Sequence, residues 1–466
     1  MTRTLQLLLF SALLTACRTS TDTTSAEAAS SAPSVDIVGA APFSLDELQH
    51  RTFNYFWETA LPGNYQIPDR WPTKRFSSIA ATGFGLTAYL IGVERGYVTR
   101  AAAADRTLLT LEHLWTAPQG PAASGTIGQH GLFYHFLNND DGLRYGNTEL
   151  STIDSGLLLA GVLSSMEYFD GDDPVEGKIR DLADKLYQRV EWDWLVNENG
   201  LISMGYRPGS GPIVHEWSGY NEAMILVLLG LGSPTHPLAD DAWEKWSESY
   251  RWEEYQGYDH LNFSPLFGHQ YSQMYVDFRG IQDDYMREHG SDYFENSRQA
   301  TLANRAYCIA NEAGYTGYGS EQWGLTACDG PAGLDTVING TPRKFWDYKA
   351  RGASARHVVD DGTIAPTAAG GSFPFAPEEC EAALRQMWTT HQDSLVGRYG
   401  FKDAFNLTYR TEERPNGWFD VDYLGIDQGP ILIQLENHRS GLVWDLMRKN
   451  KYIQRGLRRA GFRSKK

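Results

Sequence analysis

Cysteine is scarce, four in 466 residues. That excludes a disulfide framework and a zinc-finger array. Positive charge is short as well, with 41 Lys and Arg against 58 Asp and Glu, a net charge of −17. A surface of that sign repels nucleic acid and other polyanions at long range, so neither is expected as a partner. After the N-terminus no segment reaches the roughly 18 uninterrupted apolar residues of a membrane-spanning helix. HExxH, GxSxG, the P-loop and a GxGxxG following a strand are all missing, and good metal-ligand spacings with them, so no metal and no cofactor are expected. What the chain does have is 42% hydrophobic and 13% aromatic residues. Those fractions exclude a disordered polymer, and the length could hold one large core or two to three ordinary domains.

The N-terminus reads as an address. Arg3 precedes an apolar run from Leu5 to Ala16 that ends in Leu14-Thr15-Ala16-Cys17. Small residues before a cysteine resemble a bacterial lipobox, which predicts a signal peptide over residues 1–16 and lipidation of Cys17. Residues 17–42 are rich in Ser, Thr and Ala without apolar periodicity, as in a flexible tether. The expectation is an exported protein anchored in the cell envelope by its N-terminal lipid alone; Arg18, in place of Asp, points to the outer membrane. Of the remaining cysteines, Cys308 and Cys328 are the nearer pair for a disulfide in that oxidising compartment.

From Leu45 onward helical periodicity dominates. Helices are predicted over 45–60, 78–95, 99–115, 152–169, 174–192, 219–231, 238–254, 291–312, 377–392 and 428–448, the last divisible into two. Asp173-Pro174 with Glu176 supplies an N-cap, a first-turn proline and an acid for the dipole. Stretches such as Ala80–Val93, Leu157–Leu163 and Ala223–Leu231 are apolar almost all round, as buried inner helices must be, whereas their successors are amphipathic. The alternation predicts an all-α fold, an (α/α)6 barrel of inner and outer helices forming one domain over 43–466. A superhelical solenoid would show a fixed-period repeat, and none is found. The long connections 117–150, 193–220, 255–290, 313–376 and 394–427 exceed ordinary loops and are expected to form the cleft.

Those connections hold the chemistry. Tryptophans stand at or near loop positions, and indoles stack on the apolar faces of sugar rings, so a neutral glycan is the expected partner. Glycoside hydrolysis needs one protonated carboxyl to help the leaving oxygen depart and one ionised carboxylate to activate water or attack carbon. Glu149 and Asp154 lead into one apolar helix and Glu222 opens another; Glu321, Asp329, Asp403, Asp420, Asp422 and Asp427 lie in later loops or helix starts. A single acid at a helix N-terminus is equally explained by capping, and the dipole there lowers a carboxyl pKa where a general acid needs it raised. Burial or neighbouring carboxylates must outweigh the dipole. His269, His357 and His391 are scattered and read as structural or substrate-contact residues.

Trp323-Gly-Leu-Thr-Ala-Cys-Asp-Gly-Pro, Asp361-Gly-Thr-Ile-Ala-Pro-Thr-Ala-Ala-Gly-Gly-Ser-Phe-Pro-Phe-Ala-Pro-Glu-Glu-Cys, Tyr399-Gly-Phe-Lys-Asp-Ala-Phe-Asn and Leu424-Gly-Ile-Asp-Gln-Gly-Pro-Ile together resemble the glucoamylase-like domain family. Glu436-Asn437 and Ser440-Gly-Leu-Val-Trp add to the likeness. Within that family the chain is most similar to glycoside hydrolase family 144, the bacterial β-1,2-glucan hydrolases, over about residues 43–462. The resemblance implies an (α/α)6 barrel that hydrolyses β-1,2-glucosidic bonds with anomeric inversion and without a metal in its chemistry. Glu222, in Tyr220-Asn221-Glu222, inherits the role of general acid. The base stays open among Asp403, Asp420 and Asp427, with Glu149 and Asp154 as subsite or supporting acids. Trp217, Tyr220, Asn221, Glu321, Trp323, Asp329, Trp418, Asp420 and Gln428 are the expected substrate contacts. Endo and exo action are both compatible with the sequence, and a monomer is expected. Two other readings fit part of this pattern: a polysaccharide lyase on the same barrel, which would need a uronic acid substrate, and a glycan-capturing surface lipoprotein without catalysis.

Overall fold

The inner helices begin where a short strand ends, and that junction decides where side chains point. Ser78 closes the strand Ser77–Ser78 and its hydroxyl accepts from Ala81 N, opening one inner helix; Ser151 does the same for Asp154 N after Leu150–Ser151. A β-region residue with a free hydroxyl satisfies one of the orphan amides of the first turn. The computed structural model describes residues 41–338 and 340–465. The expected signal peptide, Cys17 and nearly all of the tether lie outside them.

In chain order the helices are α1 (Leu45–Thr59), α2 (Ile79–Glu94), α3 (Arg100–Thr116), α4 (Thr152–Tyr168), α5 (Pro174–Gln188), α6 (Met224–Gly232), α7 (Ala242–Ser247), α8 (Phe267–Tyr275), α9 (Asp284–Glu288), α10 (Tyr293–Ala310), α11 (Pro366–Gly370), α12 (Pro377–Leu395), α13 (Gly425–Ser440), α14 (Leu442–Lys449) and α15 (Lys451–Arg459). Helices α2, α4, α6, α8, α11 and α13 are buried along most or all of their length and form the inner ring. The ring closes because α13 packs back on α2. Helices α1, α3, α5, α7, α10 and α12 run outside it, so the architecture is the (α/α)6 barrel. Helix α15 lies against α6.

The tightest seam of the ring is α2 on α4. Gly83 and Gly161 face each other there, and a Cβ at position 161 would run into the backbone of Gly83. Backbones approach this closely only where side chains are absent.

Most helix bounds agree with expectation to within a few residues; α9 and α15 were not expected, and four further regions differ. The helix expected over 219–231 starts only at Met224, because Gly219 takes φ +72° and Asn221 Oδ1 accepts from Ala223 N to make a turn instead. The helix expected over 238–254 shrinks to α7. Its second half joins a hairpin, Trp252–Tyr255 against Tyr258–Leu261, turned by Gln256 and Gly257, both at positive φ. Two inner helices fell inside stretches read as connections. α8 buries His269, Gln270, Ser272 and Gln273, and Gln270 is satisfied by Ala368 O and Ser372 Oγ, so its polar residues hide the apolar period. α11 is five residues long and begins at a proline. Cys308, Cys328 and Cys380 are free and buried, which corrects the expected 308–328 disulfide.

Candidate active site

The site is built at the N-terminal ends of the inner helices by short antiparallel ribbons. A five-stranded ribbon (Gly128–Gln129, Leu132–Tyr134, Leu150–Ser151, Gly205–Arg207, Gly211–Pro212) crosses one side of the mouth. Its register, Leu150 opposite Tyr206, sets Glu149 beside Arg207. A second ribbon pairs Phe405 with Phe419, and Asp420 N donates to Ala404 O while Asp403 N donates to Asp422 O. Two acids seventeen positions apart in the chain are thereby made neighbours. Arg70 pairs with Leu424 across a third ribbon and so arrives beside them.

One wall carries Glu222, just ahead of α6. It is 4% exposed, and its Oε2 has no hydrogen-bond partner among the described residues. Burial, with a smaller push from the charge of Asp154, raises its pKa to about 8. The dipole objection raised by its position at a helix start is therefore overcome by desolvation, which penalises only the charged form.

The opposite wall is a cluster of carboxyls. Asp403, Asp420 and Asp427 are all buried. Asp403 Oδ2 accepts from Asp329 N at 2.7 Å, and Asp420 Oδ1 accepts from Val421 N and Asp422 N. Asp403 Oδ1 and Asp427 Oδ2 are buried without a hydrogen-bond partner among the described residues, and each carboxyl acts on the titration of the other. Burial raises the pKa of both; for Asp403 the charges of Asp427, Asp329 and Asp420 add to it, and for Asp427 those of Asp329 and Asp420 add to it against the lowering influence of Asp403, so the two titrate as a pair. Asp420 is raised by burial and by Asp329. Oxygens of Asp329, Asp403 and Asp420 fall within 4.8 Å of one another, a spacing a cation would also tolerate. Arg70 is the positive group the chain itself places there: its Nη1 is 2.6 Å from Asp329 Oδ2, its Nε 3.1 Å from Asp69 Oδ2 and its Nη1 3.8 Å from Asp422 Oδ2. Burial, and after it the charges of acids on both walls (Asp427, Glu222 and Asp154), raises the hydroxyl pKa of Tyr271 of α8.

A third group flanks Glu222. His135 Nδ1 is 2.9 Å from Glu149 Oε1 and its Nε2 is 3.6 Å from Asp154 Oδ1; Arg207 Nη2 holds the other Glu149 oxygen at 3.1 Å.

The structure thus gathers Glu149, Asp154, Glu222, Asp329, Asp403, Asp420 and Asp427 at one mouth. Several expected substrate contacts are elsewhere. Trp323 is fully enclosed in the core and cannot present a face to a sugar. Trp217 is buried with its Nε1 donating to Thr152 Oγ1, and Tyr220 stacks on Tyr293 inside the core. Asn221 and Gln428 are spent on backbone, capping Ala223 N and donating to Phe401 O. Glu321 is exposed on a different surface, shared with Glu378, Glu381 and Arg385. Trp418 is buried against Cys328, Ala365 and Ala404. His269 is buried, its Nε2 3.1 Å from Phe263 O, and burial holds its pKa down at about 3. Sequence reasoning passed over Arg70, His135, Arg207 and Tyr271. Arg70 left a trace, a charged Asp69-Arg70 pair inside a short inter-helix connection; His135 and Tyr271 left none.

A helical toroid with a buried Glu on one wall and a cluster of Asp on the other, at the inner-helix N-termini, is, as a class, the framework of an (α/α)6 glycoside hydrolase. The sequence profile of the family described as glycoamylase ("Putative glucoamylase") matches residues 214–451, just over half of the chain, and the chain belongs to that family. A crystal structure of a protein from Bacteroides uniformis, described as a putative glucoamylase, is 35% identical with a TM-score of 0.79, covering 91% of this chain and 99% of that one. An endo-β-1,2-glucanase from Chitinophaga pinensis, solved with sophorotriose and glucose, is 28% identical with a TM-score of 0.77, covering 91% and 99%. An exo β-1,2-glucooligosaccharide sophorohydrolase from Parabacteroides distasonis is 29% identical over 449 residues. This chain spans 57% of that relative's length, and the alignment takes in 89% of this chain.

Proposed function

We propose that this protein is a glycoside hydrolase that cleaves β-1,2-glucosidic bonds of glucan with inversion at the anomeric carbon. The observation that carries the proposal is the opposition of two carboxyl environments: Glu222, buried and protonated to about pH 8, against the Asp403–Asp427 pair. Glu222 gives its proton to the glycosidic oxygen as the bond from C1 to that oxygen breaks. The ionised member of the pair takes a proton from water, directly or through a relay, and that water attacks C1 from the opposite face. Protons balance, since one leaves Glu222 and one arrives at the pair. Asp420 and Asp329 raise the basicity of the pair, and Arg70 keeps the cluster from accumulating unbalanced charge. The endo-glucanase and the sophorohydrolase among the relatives support a β-1,2-linked substrate.

The test is incubation of the chain, truncated after Cys17, with linear β-1,2-glucan, following product length by chromatography and the first-formed anomer by proton NMR. The expected result is cleavage with α-anomeric ends appearing first. A mixed ladder from the earliest point means an open cleft and endo action; sophorose alone means a blocked cleft and exo action. A UV-absorbing unsaturated product would replace the hydrolase with a lyase, and tight binding without shortening would make the protein a glycan receptor.

We further propose that the protein is a monomer in the bacterial cell envelope, held by lipid on Cys17, probed from the lipobox run Leu14-Thr15-Ala16-Cys17. Cys17→Ser should move it from the membrane to the soluble fraction.

A further inference from the structure

The mechanism above makes no use of His135. Its position is over-determined: His135 N donates to Glu149 O at 2.9 Å, Ile79 N donates to His135 O, and its ring stacks on Phe136 with centroids 3.8 Å apart. The side chain keeps 28% of its area exposed at the mouth. Its two nitrogens face two different carboxylates, Glu149 on one side and Asp154 on the other. Nδ1 is within hydrogen-bonding distance of Glu149, whereas the 3.6 Å from Nε2 to Asp154 is a charge contact only; with a carboxylate on each side, the ring is placed to carry charge as an imidazolium. Asp154, in the first turn of α4, is in turn held by Ser151 Oγ at 2.5 Å, and its charge acts on Glu222, just ahead of α6.

We propose that His135 is a positioning residue: a charged bridge between Glu149 and Asp154 that fixes the Asp154 carboxyl, and through Asp154 tunes the field at Glu222. The groups that face His135 are Glu149, Asp154 of α4 and Asp69 of the loop before Arg70, with Arg207 behind Glu149. Burial opposes charge on the ring, but these three carboxylates outweigh it and carry the imidazole pKa to about 9. For Glu149 burial acts upward, and His135 and Arg207 bring it down to about 2. Across the working range, therefore, His135 is a cation set between Glu149 and Asp154. Removing the cation leaves the negative field of Asp154 undiluted at Glu222, so Glu222 binds its proton more tightly and becomes a poorer acid. Removing Asp154 has the opposite sign.

This inference rests on the hydrolase reading for its kinetic consequence, and the test separates the two. In the first arm the pH profile of kcat/KM is measured on linear β-1,2-glucan for His135→Gln, Asp154→Asn and the double variant. His135→Gln should lower the rate about tenfold and move the alkaline limb up by about half a pH unit. Asp154→Asn should move it down, and the double variant should match Asp154→Asn alone, because His135 acts through Asp154. A slower His135→Gln with an unmoved limb would mean a merely structural residue; a downward shift in His135→Gln, an upward one in Asp154→Asn, or shifts that add in the double variant would also overturn the bridge. The second arm needs no turnover: imidazole NMR of the whole mature chain. His135 should remain doubly protonated at pH 8 and lose that proton at a pH lower by a unit or more in Asp154→Asn. Titration of His135 near 6.5 in the unaltered protein would overturn the assignment even if hydrolysis is robust. Should the glucan go uncleaved, the hydrolase reading falls and the NMR arm alone decides the bridge.

Discussion

Two walls of one cleft hold their protons for different reasons. Glu222 is raised mainly because it is out of water, with Asp154 as a minor contributor. The Asp403–Asp427 pair is also buried, but it is raised in addition by the carboxylates around it, Asp329 and Asp420, and its two members act on each other's titration. A group raised by desolvation is insensitive to any one neighbour, whereas a group raised by like charges answers to each of them. One wall is thus suited to a fixed acid and the other to a base whose affinity can be adjusted by substitution.

The sharpest way to break this comparison is to remove each proton site. Glu222→Gln should lower kcat on β-1,2-glucan by about a thousandfold or more with the fold intact, measured by initial rates and circular dichroism. On the other wall, Asp403→Asn and Asp427→Asn should each cost about a hundredfold or more, and the double variant little beyond the worse single one, because the pair acts as a unit. Additive losses would mean that the two aspartates act separately.

Stability gives a second contrast. A buried carboxyl whose folded pKa is raised holds a proton that the unfolded chain releases, so stability falls as pH rises from the ordinary carboxyl range, about 4.3, to the folded value, and levels off above it. For Glu222 that window closes at about 8. Glu222→Gln should therefore leave Tm unchanged near pH 4 and raise stability by a few kcal/mol at pH 8, by calorimetry. The smallest expected effect is on the cluster: Asp420→Asn should move the acidic limb of the rate profile down by about half a unit while leaving the alkaline limb in place. If both limbs move together, the walls are not independent.

The same asymmetry runs through what the sequence made legible. Helices α2, α4 and α6 are long apolar runs and α1, α3 and α5 amphipathic ones, so the first half of the barrel is visible in hydropathy alone. In the second half α8 carries two buried glutamines whose hydrogen-bond partners are distant in the chain and a buried histidine, and α11 is too short to show a period. The carboxyls were found because acids in connections are conspicuous, and Glu222 and Asp427 were singled out together with their neighbours. Which acids pair was hidden, because Asp403 and Asp420 meet through a strand register, Phe405 opposite Phe419, that no local signal encodes. Tryptophan in a connection proved a poor guide to a sugar platform: Trp217 and Trp323 are core residues that seal loops onto the barrel. His135 was passed over since its partners, Glu149 and Asp154, stand 14 and 19 positions away in a ribbon and a helix.

The account turns on Glu222 being the acid and the Asp403–Asp427 pair the base, and a dinitrophenyl β-sophoroside separates the two. Its leaving group departs without protonation, so only base catalysis is needed. Glu222→Gln should hydrolyse it at close to the rate of the unaltered enzyme, while Asp427→Asn remains as impaired as on glucan. A Glu222→Gln variant that stays inactive on this substrate, or an Asp427→Asn variant that is rescued by it, would contradict the assignment.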